Sequence, residues 1–342
     1  MNTPENILLI RLKSIGDILF TLPGVHTVRE NFPRARIHFL VSSEHAPLLR
    51  GFTEIDEVIK LDRAVYGSKN PQAICAGTFQ YLRRLRRQNF SLVIDFQGYG
   101  ETELFSWWSG APERWGCVYN RWRGWLYTRG VWRNDHIHLV DWNLSLLQQC
   151  GLRIGAIRNE FVLPGDALDE AGRFFAAHNL DASRPTLFIQ PFTSSPRKDW
   201  PLENYLALAA HWRACGTQVI FGGGPSERAA LEPARAAGFP VAAGTPLLVS
   251  AGLMKLSTLS VGGVTGLMHL AVSMQKRVLM LIGYPTREPG FPYQHRDWAV
   301  TPPGGGSASE IRTDTVIEAC AQAFAGMSVA EKVNSPAGNA SC

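Results

Sequence analysis

Residues 6–23 read NILLIRLKSIGDILFTLP, and this stretch decides the fold class. NILLI is a short aliphatic run without polar alternation, the pattern of a strand buried on both faces. Gly16 permits a tight turn, after which Ile18, Leu19, Leu22 and Val25 follow at helical spacing. A buried strand turning directly into a helix is the first half of a parallel strand–helix–strand unit. Similar runs recur along the chain: RIHFLVS (36–42) and SLVIDFQ (91–97) in the first half, then TLFIQPF (186–192), TQVIFGGG (217–224) and VLMLIGY (278–284) in the second. Short apolar runs bounded by turn residues and separated by helical patterns predict parallel sheets with crossover helices. Two such series predict an α/β chain of two doubly wound domains. The seam is expected near 151–185, where GLRIGAIRNEFVLPGD gives way to the helical pattern ALDEAGRFFAAHNL. The domains are therefore placed at 1–163 and 164–326, with residues 327–342, small and polar, as a disordered tail.

Composition narrows the class. The chain has 342 residues, 45% hydrophobic and 18% charged, which suits two globular domains rather than a disordered chain. No apolar run reaches the roughly 18 residues needed to span a bilayer. The start, MNTPENILLIRLKS, lacks the form of a signal peptide, so a cytoplasmic location is expected. Six cysteines at 75, 117, 150, 215, 320 and 342 form no CxxC pair, which argues against a zinc knuckle or a redox dithiol. The net charge of +5 is uneven: residues 1–155 hold 19 Lys and Arg against 14 Asp and Glu, whereas the remainder holds 15 of each. All the excess positive charge lies in the first half, which predicts an anionic partner there.

In open α/β sheets ligands bind beyond the carboxyl ends of the strands, so the residues after each apolar run are the candidates. Lys13-Ser14-Ile15-Gly16-Asp17 follows the first. Asp17 can serve as a helix cap, or as a carboxylate that accepts a proton from an attacking hydroxyl. Thr193-Ser194-Ser195-Pro196-Arg197-Lys198-Asp199-Trp200-Pro201 follows TLFIQP, and hydroxyls, backbone N–H groups and a lysine at a strand end can cradle a phosphate. After TQVIFGGG comes Glu227, either a first-turn helix carboxylate or a ligand contact. In VTGLMHLAVSM (264–274) the Thr265-Gly266 turn opens a helix whose first N–H groups suit a diphosphate, while Met268, His269 and Leu270 have ordinary core readings. Residues 81–133 hold nine Arg, four acidic residues and six of the ten Trp. Such a stretch can bind nucleic acid or an anionic, part-apolar glycolipid, or it can be a solvated basic face with Trp in the core.

RLKSIGDILFTLP resembles the N-terminal motif of the heptosyltransferase family of glycosyltransferases, which build the inner core of lipopolysaccharide; Ser14, Gly16, Asp17, Leu22 and Pro23 match it. The 193–201 loop is similar to the family's Lys-x-Trp-Pro loop, and VTGLMHLA to its Asp-Thr-Gly-x-x-His-x-Ala motif with a following Gly-x-Pro-Thr turn, matched by Thr265, Gly266, His269, Ala271, Gly283, Pro285 and Thr286. IDFQG, with Asp95, Gln97 and Gly98, resembles a family strand end. The resemblance implies two Rossmann-like domains facing a cleft, the GT-B architecture, and a metal-independent inverting transfer without a cofactor. It implies a nucleotide-diphosphate sugar donor, ADP-heptose, and an anionic glycolipid acceptor, with contact at the inner membrane surface and no nucleic-acid partner. By the same resemblance Asp17 is the base and Lys198 supports the leaving diphosphate. The donor is expected at Thr193, Ser194, Glu227, Thr265, Gly266, Leu267, Met268 and His269, and the acceptor at Ser14, Gly16, Arg83, Arg87, Gln97, Arg121 and Arg123. The chain departs from the family at Val264, which stands where the family has Asp, a residue that helps bind the donor sugar. Transfer of another nucleotide sugar in the same fold, or non-catalytic binding of a sugar nucleotide or glycolipid, are the alternatives.

Overall fold

In the computed structural model, residues 4–62, 81–283 and 290–331 are described. The chain divides into two compact units, Met1–Val162 and Leu163–Cys342. The first contains β1 (Asn6–Ile10), β2 (Arg36–Ser42), β3 (Glu57–Leu61), β4 (Leu92–Asp95), β5 (Glu113–Val118) and β6 (Arg129–Trp132). The second contains β7 (Thr186–Gln190), β8 (Gln218–Gly223), β9 (Val241–Ala243), β10 (Leu259–Gly263), β11 (Val278–Leu281) and β12 (Ala299–Val300). All the quoted apolar runs form strands. The six other strands escaped that reading because they are short or, like EVIKL and ERWGCV, carry charges in their sequence.

Each unit holds one six-stranded sheet, ordered β3-β2-β1-β4-β5-β6 and β12-β11-β10-β7-β8-β9. Every strand pair is parallel. Numbered within its own unit, the second sheet has the same order as the first, so the topology 3-2-1-4-5-6 occurs twice. In that order the chain winds outward from the first strand in one direction and then in the other, so the crevice opens beside the first strand. It lies between β1 and β4 in the first unit, where Ile10 pairs Asp95, and between β7 and β10 in the second, where Gln190 pairs Gly262.

The strands are buried on both faces, which is why they read as continuous apolar runs. Ile7, Leu8, Leu9 and Ile10 are fully buried. In the first unit Leu8 and Ile10 share a core with Leu85, Val93 and Phe105; in the second Leu187, Ile189, Trp200, Tyr205 and Phe221 do so. Helices Ile15–Leu19 and Leu22–Asn31 follow β1, and Thr102–Trp108 follows β4. Helix Gly165–Ala177 packs on Leu247–Leu256 in the second unit. The last helix, Thr313–Glu331, continues through residues 327–331, into the stretch expected to be tail. Met, Ala and Glu there are good helix formers, and between Met327 and Glu331 there is no proline or glycine. No helix among the described residues is long and apolar enough to cross a membrane.

The carboxyl end of β4 is held rigidly. Asp95 is fully buried and accepts hydrogen bonds from the backbone N–H groups of Gln97 (2.9 Å) and Gly98 (3.0 Å) and from the Tyr127 hydroxyl (2.7 Å). Burial pushes its carboxyl up from the ordinary value, and these donors oppose the shift. Gly98 has φ +69°, and a Cβ there would lie 2.0 Å from the Cys117 carbonyl oxygen. Gly100 has nearly the same φ, +71°, with nothing within 4 Å. The pair separates backbone strain from steric exclusion. Gly98→Ala is expected to lower unfolding free energy by roughly 3 kcal/mol or more, and Gly100→Ala by about 1 kcal/mol, read from urea denaturation midpoints.

Candidate active site

One backbone step beyond β1, Arg11 occupies the crevice of the first sheet. It is only 4% exposed, so its guanidinium must find partners inside the protein. Nη1 donates to the Phe96 carbonyl (3.1 Å), Nε to the Lys13 carbonyl (3.0 Å), and Nη2 meets Asp17 Oδ2 at 2.6 Å. Arg11 thus ties the end of β1 to the end of β4 and orients the Asp17 carboxylate. The Ser14 backbone N–H and hydroxyl also donate to Asp17 Oδ2, each at 3.3 Å. Among the described residues every hydrogen bond and ion pair of Asp17 goes to Oδ2. Oδ1 is left to accept from a ligand, and the side chain is 32% exposed. Asp17 therefore caps its own helix and still presents one oxygen at the crevice. Arg11 was not singled out from the sequence; its only signal was a lone charge closing an apolar strand.

The other residues expected to meet the acceptor are dispersed. Ser14 and Gly16 lie in the Asp17 turn. Gln97 is buried, and its amide is used internally: Oε1 accepts from the Leu12 N–H (3.1 Å) and Nε2 donates to the Tyr99 carbonyl (3.4 Å). It joins the two strand ends, which is a framework role. Arg123 Nη1 pairs with Glu103 Oε2 at 2.8 Å, and the Glu103 side chain is only 3% exposed. That bond neutralises a nearly buried carboxylate, because an unpaired one would be costly. Arg83 and Arg87 are exposed. Arg87 precedes Gln88, whose carbonyl accepts from Asn6 Nδ2 at the start of β1. Arg87 therefore lies by the amino edge of the sheet, a strand length of about 16 Å from the Asp17 edge, and does not join Asp17. The strand's direction, not its composition, sets that separation. The Arg121 side chain lies outside the described residues.

At the crevice of the second sheet the Thr193 loop folds over the end of β10. Thr193 N–H donates to Asp199 Oδ1 (2.8 Å), and its hydroxyl donates to the Ser195 carbonyl (2.9 Å). A Cβ on Gly263 would lie 2.5 Å from the Thr193 methyl, so only glycine lets the loop approach this closely. Trp200, 1% exposed, anchors the loop from below: its indole N–H donates to the Ile311 carbonyl (2.8 Å) and its ring packs edge-on against Tyr205. Ser194 and Lys198 are exposed, and the Lys198 ammonium has no hydrogen bond or ion pair among the described residues. Thr265 caps helix Gly266–Ser273, its hydroxyl accepting from the Met268 N–H (3.2 Å). The N–H groups of Gly266 and Leu267 stay at the open helix end, where the dipole favours an anion. Val264 is half-buried beside them.

Thr193, Thr265, Gly266 and Leu267 are thus brought to one crevice, with Lys198 on the same loop. Met268 and His269 turn inward: Met268 is fully buried and His269 is 6% exposed. The Met268 side chain belongs to the core, and its N–H is taken by the cap. Glu227 stands beyond β8, its Oε2 accepting from the Gly224 N–H (2.7 Å). Pro285 and Thr286 lie outside the described residues. No cluster of three or more His, Cys, Asp or Glu among the described residues could hold a metal ion.

The Arg11 network predicts a stability effect. Arg11→Met strands two carbonyls and one carboxylate oxygen, and should cost roughly 2–3 kcal/mol of unfolding free energy. Arg11→Lys should recover only part, because one ammonium cannot span three acceptors in a fixed fork. Urea denaturation of both variants measures this.

A family model described as glycosyltransferase family 9 (heptosyltransferase) matches residues 78–315, leaving the Asp17 segment outside the match. The lipopolysaccharide core heptosyltransferase OpsX of Haemophilus influenzae is 24% identical over 228 residues, covering 66% of this chain and 62% of its own length. The chain thus aligns with about three fifths of that relative. The glycosyl transferase family 9 structure from Veillonella parvula has a TM-score of 0.84 at 20% identity, covering 94% of this chain and 98% of its own. E. coli heptosyltransferase WaaC with ADP-2-deoxy-2-fluoro heptose has a TM-score of 0.76 at 19% identity, covering 93% and 99%. These structures share the two-sheet fold of GT-B-type glycosyltransferases. With the matched model spanning most of its length, the chain belongs to glycosyltransferase family 9, the heptosyltransferases.

Proposed function

We propose that this chain is an inverting glycosyltransferase that moves a heptose from ADP-heptose to the inner core of a lipopolysaccharide acceptor, at the cytoplasmic face of the inner membrane. The observation that carries the reading is Asp17, held by buried Arg11 at the crevice of the first sheet with Oδ1 uncommitted. Oδ1 takes the proton of an acceptor hydroxyl, and the hydroxyl oxygen attacks the anomeric carbon of the donor. The bond from that carbon to the diphosphate breaks, and ADP leaves. The growing charge on the diphosphate meets the open N–H groups at Gly266 and Leu267, and Lys198 and the Ser194 hydroxyl on a loop whose shape the Thr193 hydroxyl holds through the Ser195 carbonyl. Glu227 contacts the nucleoside from the end of β8. Support comes from family membership, from the core heptosyltransferase OpsX among its relatives, and from the ADP-sugar carried by the WaaC structure.

Val264 favours a second reading of the donor sugar. A valine cannot bond a sugar hydroxyl, so either the heptose is held by other groups or another sugar takes its place. If the crevice holds a heptose, a restored carboxylate finds sugar hydroxyls as partners; otherwise it is left half-buried and unpaired.

Three outcomes are expected. Asp17→Asn lowers kcat by about 100-fold or more while the Kd for ADP, by isothermal titration, stays within error; near-normal turnover removes Asp17 from the reaction. Transfer persists in excess EDTA, because lysine and the helix end serve the diphosphate; loss that magnesium restores contradicts this. Val264→Asp binds ADP-heptose at least as tightly as the parent with an unchanged melting temperature. If the parent binds ADP as tightly as ADP-heptose and the variant binds neither, the donor is not a heptose.

A further inference from the structure

The described residues leave ten large hydrophobic side chains exposed, and seven of them lie between Tyr99 and Trp132 in the first unit. Trp122 is 84% exposed, Trp125 68% and Trp132 58%. Two pairs of the exposed rings touch. Trp107 meets Trp125 edge-on at 6.2 Å, and Tyr99 meets Tyr119 at 5.6 Å. Helix Thr102–Trp108 packs on the turn Arg121–Leu126, and Arg123 Nη1 donates to the Gly100 carbonyl (3.3 Å). Trp132 ends β6 beside Val118 of β5. The aromatic surface therefore begins at the carboxyl edge of β4, β5 and β6, the edge at which Asp17 stands, and extends down one flank. A cluster this apolar on a water-facing surface marks a contact site.

A basic helix borders it. Residues 81–86 are helical, with Arg83, Arg84, Arg86 and Arg87 exposed. Leu85 shares the core with Phe105 of helix Thr102–Trp108, Tyr81 packs edge-on against Phe105, and Arg86 Nη1 donates to the Trp108 carbonyl (3.4 Å). Of the four acids of the stretch, Asp95 is buried, Glu103 is paired with Arg123, Glu113 lies 3.7 Å from Arg129 Nε, and Glu101 is half-buried.

We propose that this surface docks the protein on a bilayer carrying anionic headgroups. Trp and Tyr are the side chains that settle at the membrane–water boundary, with their rings in the acyl region and their N–H or O–H among headgroups. Arginines beside them attract anionic lipid. A second copy of this chain fits less well, because a self-paired patch would bring two surfaces of the same positive sign together. The inference deepens the proposed function and rests on it for one point: a lipid-linked acceptor has to be met at a bilayer, and this surface lies on the same unit as Asp17.

The test uses vesicles without donor, acceptor glycolipid or any lipopolysaccharide, so its outcome is independent of whether the chain transfers a sugar. The full chain is expected to co-sediment with phosphatidylcholine–phosphatidylglycerol vesicles, with a blue shift of tryptophan emission, and weakly with phosphatidylcholine alone. The double variant Trp122→Ser, Trp125→Ser should bind at least about tenfold more weakly. Arg84→Gln should weaken binding by about fivefold on anionic vesicles only. Both should keep the parental melting temperature, since the replaced side chains are exposed. The proposal is overturned if the parent does not bind anionic vesicles, or if the double variant binds as well as the parent. Concentration-dependent dimerisation by light scattering that the double variant abolishes, without vesicle binding, also overturns it and makes the surface a protein interface.

Discussion

Parallel strands cannot be joined by tight hairpins, so each connection must cross a face of the sheet before the next strand begins. In both units that constraint buries the strands on two faces and sends the chain outward from the first strand in one direction, then in the other. A crevice is left at the carboxyl end of the first strand, where neighbouring connections diverge. The two sheets repeat this topology, and each places its candidate chemistry at the equivalent point: Asp17 beyond β1, and the Thr193–Lys198 loop with the Thr265 cap beyond β7 and β10. The site residues are far apart in sequence because the crevice is made by strands that are neighbours only in the sheet.

The two crevices are built for opposite charges. In the first, buried Arg11 spends three donors on two carbonyls and one carboxylate oxygen, so the geometry of Asp17 depends on the spacing of β1 and β4. In the second, the protein leaves donors open: the exposed Lys198 ammonium and Ser194 hydroxyl on a loop pinned by Trp200, and the first N–H groups of a capped helix. A carboxylate with one uncommitted oxygen accepts a proton; an array of free donors holds an anion. Those are the two demands of sugar transfer from a nucleotide diphosphate.

The arginines of the first unit divide by burial. Arg11 and Arg123 answer acids inside the fold, and removing either strands a partner. Arg83, Arg84 and Arg87 face solvent, and with the exposed tryptophans they make a surface whose chemistry matches an interface rather than water. The positive excess of the first half is therefore one number covering two roles, of which only the exposed one can act on a partner.

Much of this was legible in the sequence for a physical reason. A strand buried on both faces has to be apolar throughout, so NILLI, TLFIQ and VLML announce themselves, and the polar residues after them mark the carboxyl ends where ligands bind. The resemblance to the family motifs then marks Asp17, Lys198, Thr265 and Gly266 as candidates for the chemistry. The strands EVIKL, ERWGCV and LSVGG were less visible, since charged or small residues blur the pattern. What the sequence could not determine depends on distance in space. Arg11 reads as an interruption of an apolar run until β4 lies beside it. Gln97, Arg123 and Met268 read as ligand contacts until the fold supplies Leu12, Glu103 and the core as their partners. Arg87 reads as a neighbour of the acceptor until the strand direction carries it to the opposite edge. Residue type is set along the chain, but hydrogen-bond partners and exposure are set by segments that meet only after folding, and these decide which polar groups are consumed and which remain to act.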